Sequence, residues 1–226
     1  PRSTLFPYTT LFRSRTGYIP YGAEEFTETN DSIPGTYKLS PNQYFLLVAR
    51  MEPENNIEMI LRGYMASSRS YPLLVIGNVT NKFGKYLHTE FNHKGIQFVG
   101  SIYDQHVLNN LRYYSARYFH GHSVGGTNPS LLEAMACRCN IAAHNNVFNK
   151  SVLQTGADYF STSGDVATII DTPDNYPMAN QRKQLNIEKI RTVYNIEKNI
   201  DDYERIMLQA CGQEKLVLKP SHAASA

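Results

Sequence analysis

Residues 44–68 read YFLLVARMEPENNIEMILRGYMASS, a short apolar run followed by an amphipathic segment. The same alternation recurs along the chain. LLVIG (73–77) precedes KFGKYLHTEFNHK, IQFVG (96–100) precedes DQHVLNNLRYYS, and RYFH (117–120) precedes a helix starting at Pro129. NIAAH (140–144) then leads into VFNKSVL, and ADYFS (157–161) into GDVATIID. Apolar runs this short, each followed by a helical stretch, predict an α/β fold: a Rossmann-like parallel β-sheet with helices on both faces. Crossovers between its strands should be right-handed. Residues 178–210 read as one or two terminal helices, with Ile187, Ile190, Val193 and Tyr194 spaced for one buried face. Open sheets of this kind take ligands outside the carboxyl ends of their strands.

The totals narrow the possibilities. A chain of 226 residues, 42% hydrophobic and 19% charged, is long enough for one sizeable core. A net charge of +2 supplies no basic field for phosphate neutralisation, so nucleic acid is not an expected partner. Three cysteines argue against a disulfide framework and for a reducing compartment. Cys137, Cys139 and His144 make only three candidate metal ligands, and the cysteines are read instead as small buried side chains. No run approaches the roughly 20 apolar residues needed to cross a bilayer, and no secretory signal is visible, so a cytoplasmic location is expected. Residues 1–14, PRSTLFPYTTLFRS, repeat TLF and RS and look like translated sequencing-adapter sequence, with natural sequence beginning near Arg15 or Gly17. Residues 15–211 are expected to form the domain with its terminal helices, and 212–226 a flexible tail.

The stretch HGHSVGGTNPSLLEAMAC, residues 120–137, falls at a strand-to-helix junction. Asn128 suits an N-cap and Pro129 a first helical residue. Gly125 and Gly126 are read as turn residues with positive φ that let a ligand approach the backbone. The amides around Thr127, Ser130 and Leu131 would then point outward with the positive end of the helix dipole. Such a site suits phosphate. Glu133, one turn in, would repel a phosphate unless something sat between, and a sugar hydroxyl is the natural intermediary because a carboxylate only accepts hydrogen bonds. Alternatively, Glu133 merely favours the dipole from the surface and the glycines merely form a loop. Arg50, at the end of the first predicted strand, adds a guanidinium able to hold diphosphate oxygens and stabilise a leaving group; its alternative is a surface ion pair with Glu52 or Glu54. Together the two motifs point to a nucleoside diphosphate. His120 and His122 flank the loop and are read as structural residues within reach of a ligand, and His88, His93 and His106 as surface residues.

These residues resemble a known family, the retaining glycosyltransferases of family 4, and within it the bacterial rhamnosyltransferase branch of polysaccharide assembly. YIPYGAE (18–24), LLVARMEPENNIEMILRGY (46–64), FVGSIYD (98–104) and HGHSVGGTNPSLLEAMA (120–136) fall in the family's order. The resemblance spans roughly residues 17–210 and implies the C-terminal, donor-binding half of a GT-B enzyme, whose N-terminal acceptor domain would lie upstream. It implies that Glu133 binds the nucleotide's ribose, Arg50 the diphosphate, and the turn from Gly126 to Ser130 the phosphate and donor sugar, with Ile102 and Tyr103 bordering the base. The candidate donor-binding set is therefore Gly125, Gly126, Thr127, Asn128, Ser130, Glu133, Ile102 and Tyr103, with Arg50 catalytic. The chain departs from the family twice. Gly125 stands where many members carry a glutamate that touches the donor sugar, and here the chain resembles the rhamnosyltransferase branch, which has GGTNPS instead; Asn56 stands where many carry a lysine. The missing positive charge would have to come from Arg62, Lys82 or another group.

The activity implied is transfer of a hexosyl group from a nucleotide diphosphate sugar, dTDP-rhamnose being the favoured donor, to a glycan or lipid-linked acceptor with retention. Catalysis would rest on electrostatic stabilisation of the departing diphosphate. No paired acidic motif for magnesium is visible, so no metal or other cofactor is expected. Membrane association, if any, would be peripheral and through the upstream half. A non-catalytic nucleotide-binding module and a nucleotide-sugar epimerase of the same fold are the alternatives.

Overall fold

The computed structural model describes residues 19–172 and 176–211. The readings of residues 1–14 as adapter sequence and of 212–226 as a tail lie outside them. Six parallel strands form one sheet: β1 (Phe45–Val48), β2 (Leu73–Ile76), β3 (Ile96–Phe98), β4 (Arg117–His120), β5 (Ile141–His144) and β6 (Asp158–Phe160), in the order β3-β2-β1-β4-β5-β6. Each strand lies within an apolar run read from the sequence. Among the described residues, eight helices follow or close the strands: α2 (Ile57–Ala66), α3 (Lys82–Glu90), α4 (Gln105–Tyr113), α5 (Pro129–Ala136), α6 (Val147–Leu153), α7 (Ser163–Asp171), α8 (Tyr176–Thr192) and α9 (Ile196–Ala210). They are preceded by the single-turn α1 (Ile33–Thr36), for which the sequence offered no periodicity.

Because successive strand residues point to opposite faces, the sheet divides its apolar side chains between two cores. Leu46, Leu74, Ile76, Tyr118, Ile141 and Ala143 pack with side chains of α4, α5, α6 and α8. Phe45, Leu47, Leu73, Val75, Phe119 and Ala142 pack on the other side with α2, α3 and α7. The inner strands are buried on both sides, as a doubly wound sheet requires, and the edge strands β3 and β6 are partly exposed.

The terminal segment forms two helices separated at residues 193–195, where Asn195 caps α9 by accepting from the Lys198 amide at 2.9 Å. Ile187 and Ile190 are buried as expected. Val193 is not: it lies past the end of α8 and is 48% exposed, because the helical phase that would have turned it inward stops at Thr192. The amino-terminal strap is held to this segment where the Ala23 amide donates to the Tyr194 carbonyl at 2.9 Å. Glu25 meanwhile takes Arg191 at 2.7 Å and also pairs with Arg138.

Candidate functional site: a cleft at the switch point of the sheet

The chain runs outward from β1 to β2 and β3, then returns to place β4 on the other side of β1. The carboxyl ends of β1 and β4 therefore diverge into loops on opposite sides, which opens a crevice between them. A cleft of about 790 Å³ lies there, lined among others by Arg50 and Glu52 after β1, Ile102 and Tyr103 before α4, Arg112 on α4, His120 and His122 at the end of β4, and Asn128, Ser130 and Glu133 at the start of α5.

The two loops that carry the sequence motifs are stitched to each other. Asn56 donates through Nδ2 to the Gly121 carbonyl at 2.7 Å, the Ser123 hydroxyl donates to the Glu54 carbonyl at 2.7 Å, and the Nδ1 of His122 meets the Oδ1 of Asn55. Gly121 is needed for this closeness, since a Cβ there would stand 2.0 Å from the Asn55 carbonyl oxygen. Asn56 adopts φ 48° and ψ 30° and so spends its side chain on the loop rather than on the cleft. Of the cations proposed to replace the family's lysine, neither lines the cleft: Arg62 pairs with Glu58 at 2.7 Å, and Lys82 borders a neighbouring hollow with Phe83 and Tyr86.

Arg50 is exposed at the cleft and pairs with neither Glu52 nor Glu54 among the described residues. Its charge helps, after burial, to hold the His122 imidazole below the usual histidine range. Tyr103 is 89% exposed at the rim, and Ile102 packs partly against the core.

The helix start differs from the sequence expectation. The Ser130 amide is taken by the Asn128 side chain at 2.9 Å and the Leu131 amide by the Asn128 carbonyl at 3.1 Å, so neither is open to a ligand. Asn128 itself is the reason: the residue that makes the start definable also satisfies its first donors. Gly125 has the anticipated positive φ, 94°, whereas Gly126 is not among the residues with positive φ. Gly125 and Gly126 are exposed, their amides donate to no described residue, and with Thr127 they fall outside the lining of the cleft.

Of two buried polar groups in the cleft, Arg112 was missed in the sequence and His120 was read there as a structural residue. Arg112, 1% exposed, makes an ion pair with Glu133 at 2.5 Å, donates to Asn109 Oδ1 at 3.0 Å, and reaches the Ser130 hydroxyl at 3.4 Å. Its Nε has no partner. The signal was present: Arg112 follows Leu108 and Leu111 at helical spacing, so it falls on the core-facing stripe of α4. His120 is buried with Nε2 unpartnered, and burial, with the charges of His122 and Arg112, lowers its pKa to about 3, leaving a neutral ring in the cleft wall. The thiols of Cys137 and Cys139 are pushed up by burial, Cys139 to about 12, as inert core side chains should be.

This is a doubly wound Rossmann-like fold with its cleft at the switch point, and solved structures that share it include sugar-handling enzymes and a glycosyl transferase domain. Anabaena HepE in complex with UDP and glucose matches at 12% identity and a TM-score of 0.72 over 83% of this chain and 55% of that one. Sucrose-phosphate synthase from Thermosynechococcus elongatus matches at 16% identity and a TM-score of 0.73, over 91% and 56%. The C-terminal domain of the group 1 glycosyl transferase LpcC from Francisella tularensis matches at 16% identity and a TM-score of 0.60, over 79% and 97%. The chain thus spans a little over half the length of the first two and nearly the whole of an isolated C-terminal domain. No protein-family model and no curated protein matches it. Among the described residues no helix is long and apolar enough to cross a membrane.

Proposed function

We propose that this chain is the donor-binding half of a retaining glycosyltransferase of family 4, holding a nucleotide diphosphate sugar in the cleft between β1 and β4. The single observation that carries the reading is the convergence of Arg50 with Ser130 and Glu133, about eighty residues further along the chain, on one cleft at the switch point. Glu133 would accept hydrogen bonds from the pentose, Ile102 and Tyr103 would border the base, and the diphosphate would lie between the start of α5 and Arg50, with Gly125, Gly126 and Thr127 at its sugar end. In the transfer step the bond from the anomeric carbon to the β-phosphate oxygen breaks and one to the acceptor oxygen forms, the acceptor's proton departing. Arg50 would stabilise the charge that develops on the leaving diphosphate. The neighbouring HepE complexes contain UDP and UDP-glucose, which supports a nucleotide-sugar ligand; rhamnose from a dTDP donor rests on the sequence resemblance of the GGTNPS loop. The acceptor, a glycan or lipid-linked saccharide, would be presented by an upstream domain, in the cytoplasm or at the inner membrane face.

Calorimetric titration with dTDP, UDP and GDP tests the reading. One of them should bind, and Glu133→Ala should weaken it at least tenfold. Undiminished binding by that variant removes the site assignment. Release of free nucleotide from a nucleotide sugar by the full-length enzyme, with analysis of the glycoside formed, distinguishes transfer from binding alone and from epimerisation.

A further inference from the structure

Glu133 poses an electrostatic problem that its proposed role makes sharper. A carboxylate facing a cleft that holds a diphosphate adds a like charge to the site, and in a partly enclosed cleft such repulsion is stronger than in water. The hydroxyls of a pentose do not cancel that charge. Arg112 does: its guanidinium sits 2.5 Å from the Glu133 carboxylate. The arginine is buried, while the side chain of Glu133 remains 36% exposed, so the pair presents one carboxylate face to the cleft with a cation behind it.

Burying a guanidinium is expensive unless it is fully paired, and Arg112 is not, because its Nε has no partner. A purely structural cation would be saturated by its own protein. Arg112 also reaches the Ser130 hydroxyl, which is 2.9 Å from the Tyr118 hydroxyl, so the same side chain fixes Glu133 relative to the first turn of α5. The four charged side chains that line the cleft are Arg50, Glu52, Arg112 and Glu133. Their formal sum is zero with Arg112 in place and negative without it.

We infer that Arg112 is a positioning residue that neutralises Glu133 from behind, allowing one cleft to hold a pentose on a carboxylate and a diphosphate beside it. The inference rests on the function proposed above. It also accounts for the missing lysine at position 56: the second cation enters from α4, beneath the site, rather than from the loop after β1.

The test compares a nucleoside diphosphate with its uncharged nucleoside, using whichever base binds best. Both ligands share the pentose contact to Glu133, and only the diphosphate adds a charge for the carboxylate to repel, so the contact cancels in the ratio of the two affinities and the ratio reads the repulsion. Four proteins set the cleft charge in steps. Glu133→Gln leaves Arg112 uncompensated and should raise the ratio at least threefold over the wild type. Arg112→Met leaves Glu133 uncompensated and should lower it at least tenfold. Arg112→Met with Glu133→Gln removes both charges and should return the ratio to within about threefold of the wild type, as should Arg112→Lys, which keeps the cation. An Arg112→Met protein that loses nucleoside and diphosphate affinity equally, or a double variant without recovery, overturns the inference while leaving the nucleotide site standing. If Arg112→Met does not fold, Glu133→Gln decides: an unchanged ratio there is equally fatal. A wild-type protein that binds no nucleoside diphosphate overturns the proposed function, and this inference with it.

Discussion

Two buried arginines five residues apart, Arg112 and Arg117, show how differently the two edges of one sheet are built. Arg117 opens β4 at the amino edge, where it bonds the Asp158 carboxylate at 2.5 Å; the other oxygen of that carboxylate takes Arg182 at 2.7 Å. Asp158 begins β6, so this cluster ties strands and α8 together with partners the protein supplies itself. Arg112 lines the cleft at the carboxyl edge, shares a half-open carboxylate and keeps a buried N–H unpaired. His120, at the carboxyl end of β4, likewise keeps a buried ring nitrogen unpartnered. The lesson drawn from these side chains is that Arg117 is held by a carboxylate the protein itself supplies, whereas Arg112 and His120, in the cleft wall, each keep a buried nitrogen that a ligand could take.

The largest effect that sharpens this contrast lies in the scaffold. Asp158→Ala leaves Arg117 buried without its carboxylate and should lower the unfolding free energy by about 3–5 kcal/mol in denaturant titration, while changing nucleotide affinity less than twofold. A loss under about 1 kcal/mol would break the comparison. In the cleft the pattern should invert. If Arg50 holds the diphosphate as proposed, Arg50→Ala should lower affinity by about 1.5–3 kcal/mol, roughly tenfold to a hundredfold, with the unfolding midpoint barely moved. Equal affinity for the variant and the wild type would take Arg50 out of the site.

Acid should reveal His120. Its folded-state pKa lies far below the ordinary value, near 3 against 6.5. The unfolded chain therefore binds the proton that the folded ring refuses, and the stability this neutral histidine contributes is complete above about pH 6.5 and declines as pH falls toward 3. At pH 5 the loss should be about 2 kcal/mol relative to pH 8; burial of His122 and His144 acts in the same direction. The slope between pH 7 and 5 should be shallower in His120→Phe, and equal slopes would mean the ring is already solvated. The smallest effect is that same variant at pH 8. Replacing a ring whose Nε2 is unpartnered by an apolar one should change stability by less than about 1 kcal/mol, in either direction, while weakening ligand binding severalfold.

Much of the architecture was legible in the chain because the strands of a doubly wound sheet are largely buried on both faces and so appear as short, mainly apolar runs, interrupted in β3, β4 and β6 only by Gln97, by Arg117 and His120, and by Asp158. Each of the six was visible in this way, and the capped starts of α3, α4, α6 and α7 at Asn81, Asp104, Asn146 and Thr162 explain why the helices begin where the runs end. The single-turn α1 was not legible, since four residues hold no period. Arg50, Asn128, Ser130 and Glu133 could be read from local chemistry, but the openness of the Ser130 and Leu131 amides could not. That depended on the geometry by which Asn128 turned back to satisfy them.

The sequence by itself determined which segments are strands and helices, where the loop rich in glycine meets a helix, and that a cation and a carboxylate stand at strand and helix ends. These follow from periodicity and from the chemistry of neighbouring residues. The order of the strands, which sets β4 against β1 and brings Arg50 to Glu133, was decided only by the folded chain. So was the pairing of Glu133 with Arg112. Both depend on contacts between segments far apart in sequence, and such contacts are selected by the packing of whole faces, which no local pattern encodes.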